Sequence, residues 1–176
     1  MTIAMPVRAG VSLEEMLTAK ERRADRQADW LARYQQPVIS LSLVTPGAIK
    51  DTLRYRNLMG VAIRECDQLL WENRWPVRDR KVLWLPTGPE ALWCVAHPAQ
   101  AIKTRCVALE QTHPLGRLWD VDVICPQIGR IGRLSPARCC LLCDKPAHAC
   151  SRSRHHPVEQ VVARMEQMID DWFARD

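Results

Sequence analysis

The sequence predicts an α+β fold: one domain over residues 1–176, with a mixed or antiparallel sheet, flanking helices and a cysteine-rich loop before the C-terminal helix. Two observations carry this prediction. Apolar residues make up 47% of the 176 residues, which is enough to bury one sizeable core. Helical and strand-like patterns also follow one another in an irregular order (helix, strand, helix, several strands, helix) that is typical of α+β proteins.

The N-terminal part of the chain is predicted to form a helix, a strand and a second helix. Ser12 and Glu15 form a capping-box pattern, which starts a helix that runs to about Gln36. Residues 38–44 alternate apolar side chains with serines and predict a half-buried strand, and residues 51–72 predict a helix. The charged side of the first helix is expected to face solvent. Its buried stripe is expected to comprise Leu13, Met16, Leu17, Ala24, Ala28 and Leu31.

The remaining chain is predicted to be rich in strands until its last helix. The expected strands are 81–86, 91–97, 106–112 and 118–125. The turn TGPE joins the first two strands, and HPLG joins the last two as a hairpin. Residues 126–156 are rich in Arg, Cys, Pro and Gly and predict an ordered but irregular loop or small knuckle. An amphipathic helix then begins at Pro157 and runs to the C-terminus.

The basic charge of the chain is concentrated in one stretch. The formal net charge is +5, and residues 103–156 hold nine Lys or Arg residues against four Asp or Glu residues. A basic field of this kind favours an anionic ligand, an acidic partner protein or nucleic acid. Ordinary solvated surface is the structural alternative.

The eight cysteines are expected to be thiols or metal ligands. The N-terminus lacks the long apolar stretch of a secretory signal. No run approaches the roughly 18 apolar residues of a membrane span. The sequence therefore predicts a cytoplasmic protein that has no membrane partner and keeps its cysteines reduced.

Asp120 and Asp122 stand two residues apart in the apolar stretch LWDVDVIC. Alternate side chains of a strand point to the same face, so the two carboxylates should lie side by side. Burying like charges is costly unless a cation compensates them, and Mg²⁺ takes one or two carboxylates plus phosphate oxygens. Gly116 and Arg117 precede the strand and offer a close backbone approach and a forked phosphate donor. These residues predict a metal and phosphate site; a structural pair on an exposed strand is the alternative.

A second candidate site is the C-x2-C-x6-C pattern of Cys140, Cys143 and Cys150, followed by His155 and His156. Three thiolates and one imidazole can form a tetrahedral Zn²⁺ site, here a structural one. The alternatives are a packed cluster of reduced cysteines and a redox-active C-x-x-C pair.

Several strings together resemble one protein family. HPLGRLWDVDV, RCCLLCDKPAHACSRSRHH and VTPGAIK are similar to the citrate lyase holo-acyl-carrier-protein synthases, also called apo-citrate lyase phosphoribosyl-dephospho-CoA transferases. The resemblance runs through most of the chain and includes KERRADRQ, TGPE and Lys103. Its most specific parts are G-R-L-x-D-x-D-V and C-x-x-C-x6-C-x-R-x3-H, in which the family histidine aligns with His156.

The resemblance implies a transferase that acts on a carrier protein. It would move the phosphoribosyl-dephospho-CoA group from triphosphoribosyl-dephospho-CoA to a serine of the acyl-carrier subunit of citrate lyase, with release of pyrophosphate. The residues implied are Asp120 and Asp122 for Mg²⁺, Glu110 on the preceding strand as a third metal ligand or the base, and Arg117, Lys103, Arg130 and Arg138 for phosphate. A nucleotidyltransferase-like fold would suit an Asp-x-Asp pair on a strand.

Two other functions stay open from the sequence alone. The basic segment 126–156 could be a non-catalytic zinc knuckle that binds a protein or nucleic acid. Aromatic residues do not interleave with its arginines, which argues against nucleic acid. The aspartate pair could also serve a nucleotidyltransferase that uses another acceptor.

Overall fold

The structure is a computed structural model that describes residues 10–133 and 136–175, and it confirms the α+β class. The helices in this part of the chain are α1 (Leu13–Tyr34), α2 (Leu53–Glu72), α3 (Ala99–Thr112), α4 (Ala147–Ser153) and α5 (Val158–Phe173). The strands are β1 (Val38–Leu43), β2 (Val77–Leu83), β3 (Glu90–Val95), β4 (Trp119–Cys125) and β5 (Gly129–Arg130). A short 3-10 helix, Gly116–Leu118, leads into β4.

The strands form one open antiparallel sheet in the order β2-β3-β1-β4-β5. Strand β1 is central and pairs with both β3 and β4, so residues of three strands line up in rows across the sheet. Because side chains alternate along a strand, β1 places Ile39 and Leu41 on one face and Ser40 and Ser42 on the other. The sheet therefore has an apolar face and a largely polar face.

The apolar face packs against α2, α3 and α5 and forms the hydrophobic core. Ile39 lies between Trp93 and Val123 in one cross-strand row, and all three side chains are buried. Full burial of a side chain of this kind stabilises a fold by about 1.5–3 kcal/mol. This face is thus the main source of stability. The helices add Leu58, Met59, Ala62, Ile102, Cys106, Met165 and Ile169 to the core.

Helix α1 has nearly the predicted bounds but buries a different side. Ser12 Oγ accepts a hydrogen bond from the Glu15 N–H (3.1 Å), and the Glu15 carboxylate accepts one from the Ser12 N–H (2.7 Å), which confirms the capping box. The predicted apolar stripe is largely wrong. Leu13 and Leu17 are 77% and 51% exposed, and Ala24 and Ala28 are exposed as well, whereas Met16 and Leu31 are partly buried. The less exposed side carries Ala19, Arg23, Arg26, Gln27, Trp30 and Tyr34.

Residues 106–112 form the last turns of helix α3, so the predicted strand and the predicted hairpin across HPLG are both wrong. The buried side chains of α3 recur at helical spacing, but two of them belong to Lys103 and Glu110. These charged residues interrupt the apolar pattern by which a helix is recognised. Glu110 therefore lies on a helix beside β4 and not on a neighbouring strand.

The segment 126–156 is less irregular than predicted, because it contains β5 and α4. Helix α5 follows. Pro157 was predicted to be its first residue, but it is the N-cap, and the helix begins at Val158. It buries Met165 and Ile169, as its amphipathic pattern predicts. Within residues 10–133 and 136–175, no helix combines the length and the apolar character that crossing a membrane requires.

Gly116 is required by the close packing of the 3-10 helix against the end of α3. A Cβ atom at this position would lie 2.2 Å from the carbonyl oxygen of Glu110, which is backbone and cannot turn aside. We expect Gly116→Ala to lower the free energy of unfolding by about 2 kcal/mol or more. Gly60 in α2 has open space at its Cβ position, so Gly60→Ala should raise it by about 0.5–1 kcal/mol. Urea unfolding of both variants tests this, and a shift of the same sign in both would contradict it.

His113 is packed between Trp119 and Trp172, with ring centroids 4.5 and 4.8 Å away. Burial lowers the pKa of this imidazole, and the charge of Glu65 offsets the effect only in part. The unfolded chain therefore binds more protons below about pH 6.5. The contribution of neutral His113 to the free energy of unfolding should therefore be complete above about pH 6.5. It should be lost as the pH falls through the lowered pKa of the folded state. Thermal unfolding at several pH values tests this. In His113→Gln the thermal midpoint should fall less steeply as the pH is lowered. His148→Gln, which changes an exposed histidine, should leave the pH dependence of the midpoint unchanged.

Candidate functional site

The polar face of the sheet carries three acidic side chains on the strands that flank β1. As the alternation predicts, Asp120 and Asp122 of β4 share this face, opposite Ser42 and Ser40 of β1. Glu90 of β3 lies opposite Ser42 on the other side, so Glu90, Ser42 and Asp120 form one cross-strand row. A polar layer within a fold is costly unless its groups are paired or bind a ligand. This face is therefore the candidate active site.

Helix α1 covers part of this face with polar side chains. Arg23 and Arg26 both form ion pairs with Glu90, whose side chain is only 2% exposed. Gln27 Nε2 donates a hydrogen bond to Ser40 Oγ at 2.9 Å. The expectation that the charged side of α1 faces solvent is wrong for these three helix residues.

The two aspartates differ in their partners. Asp122 forms a two-pronged ion pair with Arg130, whose Nε lies 2.9 Å from Asp122 Oδ1, and this hydrogen bonding raises the pKa of Arg130. Within the described ranges, no hydrogen bond or ion pair joins the Asp120 carboxylate to another residue. Both side chains are partly exposed. Two adjacent carboxylates on a rigid strand supply the oxygen ligands that Mg²⁺ prefers, so the donor set fits this ion.

Lys103 and Glu110 of α3 lie along the edge of β4. Lys103 Nζ donates a hydrogen bond to the Val121 carbonyl oxygen (2.9 Å), and Glu110 Oε1 accepts one from the Val121 N–H (2.8 Å). Both side chains are buried. At Val121 these two side chains make the backbone hydrogen bonds that a neighbouring strand would otherwise make. The Lys103 ammonium group and one Glu110 carboxylate oxygen are therefore already hydrogen-bonded to β4.

Glu110 also pairs with Arg133 and Arg138, so one buried carboxylate receives three donors. This arrangement favours a role in positioning the arginines over a role as the base. Arg117 lies close by, and its Nε and Nη2 both donate to the carbonyl oxygen of Cys139, at 2.9 and 2.8 Å. Burial and the charge of Arg138 lower the pKa of Arg117. Positive charge is therefore in excess around Arg117, which suits an anionic ligand.

The four predicted zinc ligands meet in one place. Sγ of Cys140, Cys143 and Cys150 and a ring nitrogen of His156 all lie within 4.8 Å of one another. Cys143 Sγ is 3.5 Å from Cys150 Sγ and 3.3 Å from His156 Nε2, and the thiols are free. Ligand atoms of a tetrahedral zinc–thiolate site lie about 3.8 Å apart, given a Zn–S distance of about 2.3 Å. The cluster, which does not include His155, therefore has the dimensions of a metal site.

The thiols of this cluster differ in acidity. Burial and hydrogen bonds with the other two thiols raise the pKa of Cys150 to about 11. Burial also acts to raise the pKa of Cys140, but hydrogen bonds from the backbone N–H groups of Leu142 and Cys143 help to outweigh it, and the net change is downward. The pKa values of Cys140 and Cys150 are therefore shifted in opposite directions.

A cavity of about 770 Å³ lies beside this cluster, and three of the four cluster side chains form part of its wall. Arg117 and Arg154 also line it, and none of the described lining residues is acidic. Arg117 stands three residues before Asp120, so their Cα atoms are at most about 10 Å apart. A cavity with apolar walls and a few basic groups suits an anionic ligand that has an apolar body.

Glu90, Arg23 and Arg26 are absent from the predicted site residues, although the strings TGPE and KERRADRQ contain them. One signal in the sequence does point to α1. Trp30 and Tyr34, the only aromatic residues of the helix, lie on its charged side and not in the apolar stripe. Because large aromatic side chains are usually buried, they indicate which side of the helix faces the sheet.

Comparisons with known proteins place the chain in a family. A family model described as apo-citrate lyase phosphoribosyl-dephospho-CoA transferase matches residues 11–172. Curated proteins of that name from Escherichia coli O1:K1 / APEC and from Escherichia coli O8 (strain IAI1) are each 35% identical to the chain over 164 residues. The alignments cover 92% of this chain and 90% of each relative. The chain therefore belongs to the apo-citrate lyase phosphoribosyl-dephospho-CoA transferase family of enzymes.

Proposed function

We propose that the protein attaches the phosphoribosyl-dephospho-CoA prosthetic group to the acyl-carrier subunit of citrate lyase. The donor is triphosphoribosyl-dephospho-CoA, the acceptor is a serine of the carrier, and pyrophosphate is released. The observation that carries the proposal is the pair of carboxylates, Asp120 and Asp122, on the polar face of the sheet with arginines on both sides. The names of the relatives support the transferred group and the acceptor protein.

In the proposed reaction, the serine oxygen of the carrier attacks the phosphorus atom attached to the ribose. The bond from this phosphorus to the bridging oxygen of the next phosphate breaks, and its electron pair leaves with pyrophosphate. A phosphodiester then joins serine and ribose, and the serine proton passes to solvent. The nucleophile belongs to the carrier, so the work of this chain is positioning and charge stabilisation.

Asp120 and Asp122 would hold Mg²⁺, which supplies charge neutralisation for the triphosphate when it is bound. Arg130 pairs with Asp122 and would exchange that carboxylate for a phosphate oxygen of the donor. Arg117 uses one side of its guanidinium on a backbone carbonyl and would offer its remaining N–H groups to the donor.

Four other candidate residues are assigned supporting roles. Lys103 and Glu110 hold β4, and Glu110 holds Arg138, through the contacts described above. Gly116 has no side chain and therefore lets the backbone of α3 at Glu110 pack closely against it. Its N–H donates a hydrogen bond to the His113 carbonyl oxygen (2.9 Å). These residues would shape the site without contacting phosphate.

The cavity beside the Cys/His cluster would receive the dephospho-CoA part of the donor. Its volume of about 770 Å³, its apolar walls and its two arginines suit an elongated group that carries phosphate. Structural Zn²⁺ at Cys140, Cys143, Cys150 and His156 would fix the wall that the cluster contributes. Eight free cysteines are typical of a reducing compartment, and we propose that the protein acts in the cytoplasm.

Intact mass spectrometry of purified apo-carrier tests the proposed function. The carrier should gain the mass of the prosthetic group after incubation with enzyme, donor and Mg²⁺, and an equal amount of pyrophosphate should appear. Excess chelator should prevent both. An unchanged carrier mass together with salt-sensitive oligonucleotide binding would instead show a non-catalytic binding module. Pyrophosphate release that requires a different acceptor would show another nucleotidyltransferase.

A further inference from the structure

We propose that Arg23 and Arg26 of α1, held in place by Glu90, bind the two outer phosphates of the donor and then the pyrophosphate that leaves. This inference rests on the proposed function and assigns a site to its leaving group. None of the three residues is a predicted site residue.

The register of the sheet places this group at a suitable distance from the aspartates. Glu90, Ser42 and Asp120 lie in one row across three antiparallel strands. Directly opposed residues are about 4.5–5.5 Å apart, so Glu90 and Asp120 are separated by about 10 Å across β1. A triphosphate whose inner phosphate is held at the aspartates could extend across Ser42 toward the guanidinium groups at Glu90.

The charges of this group favour an anion. Two arginines share one carboxylate, which leaves one positive charge in excess. Each guanidinium carries five N–H donors, far more than the Glu90 carboxylate can accept. The Nε atoms of Arg23 and Arg26 are buried and have no hydrogen-bond partner within the described residues. Phosphate oxygens are the acceptors that match such a pair of forked donors.

Burial also separates these two arginines from Arg22 and Arg33, the other arginines of α1. Their side chains are 24% and 23% exposed, whereas the adjacent Arg22 is exposed. A purely structural ion pair would need only one arginine for one carboxylate. The second arginine, which shares the Glu90 carboxylate with the first inside a polar layer, is what a phosphate ligand would explain.

Calorimetric titration with magnesium pyrophosphate tests this site without any turnover. Arg23→Lys and Arg26→Lys keep the charge and one contact to Glu90 but lose the forked geometry, so each should weaken pyrophosphate binding about tenfold or more. Arg22→Lys is the matched control on the same helix and should bind as the wild type does. Thermal unfolding confirms that each variant is folded. An unchanged pyrophosphate affinity in both Arg23→Lys and Arg26→Lys would overturn the inference.

Kinetics separate this inference from the proposed function. If the wild-type protein modifies the carrier but neither lysine variant changes the KM for the donor or inhibition by pyrophosphate, the inference fails and the proposed function stands. If the wild-type protein leaves the carrier unmodified while its pyrophosphate affinity depends on Arg23 and Arg26, the proposed function fails and the arginine site stands.

Discussion

Asp120→Asn is expected to lower the rate of carrier modification by at least about 100-fold, because the substitution removes a charged ligand from the cation that neutralises the triphosphate. The folded structure should be retained, since the Asp120 carboxylate has no hydrogen-bond partner to lose within the described ranges. Asp122→Asn should be similarly inactive. It should also lose its ion pair with Arg130, at a cost of about 0–1 kcal/mol, because that arginine is mostly exposed.

Single-turnover labelling of apo-carrier, followed by intact mass, measures this effect. Asp144→Asn is the matched control, because it removes the same charge from an exposed position near the Cys/His cluster. It should label the carrier at the wild-type rate. Normal labelling by either Asp120→Asn or Asp122→Asn would show that the aspartate pair does not hold the catalytic metal.

Cys143→Ser is expected to release a bound zinc ion and to destabilise the protein strongly. Cys143 lies 3.3–3.5 Å from two of the other cluster atoms, so its loss would leave three ligands where a closed tetrahedral site needs four. Structural zinc contributes directly to folding. A loss of about 3 kcal/mol or more would lower the midpoint of thermal unfolding by roughly 10 °C in a chain of this size.

Metal analysis of protein purified without a histidine tag or chelator measures the occupancy, and one zinc per chain is expected. Cys139→Ser is the control, because Cys139 is exposed, adjacent in sequence and outside the cluster. It should keep both the zinc and the thermal midpoint. A wild-type protein that contains no metal, or a Cys143→Ser variant that keeps its zinc, would contradict the assignment.

The error in the prediction of α3 has a physical cause in the contacts that this helix makes with β4. Helix α3 was expected in part as a strand, because its inner side includes Lys103 and Glu110 as well as apolar residues. Charged side chains are usually placed on the outside when only the pattern is known. Here both are buried because they satisfy the N–H and C=O groups of Val121. Contacts with the following strand, 18 and 11 positions along the chain, decided the outcome, and the pattern of one helix does not record them.

The same limit applies to the candidate site. The alternation of β4 predicted that Asp120 and Asp122 share a face, and the cysteine spacing predicted a cluster whose members do lie together. Both are local patterns. Glu90 meets Arg26 across 64 positions of sequence, and their pairing depends on how α1 packs onto the sheet. Rules of periodicity describe one element at a time and therefore missed it.

The way α3 covers β4 also bears on how copies of the protein behave toward one another. A strand edge with free backbone groups is a template on which another chain can add a strand, and such pairing leads to aggregation. Lys103 and Glu110 close that template at Val121 on one side of the sheet. On the opposite side, β2 exposes Arg78 and Lys81, charges that discourage strand addition. The backbone of β4 at Val121 and the outer edge of β2 are thus both protected against pairing with a strand from another molecule.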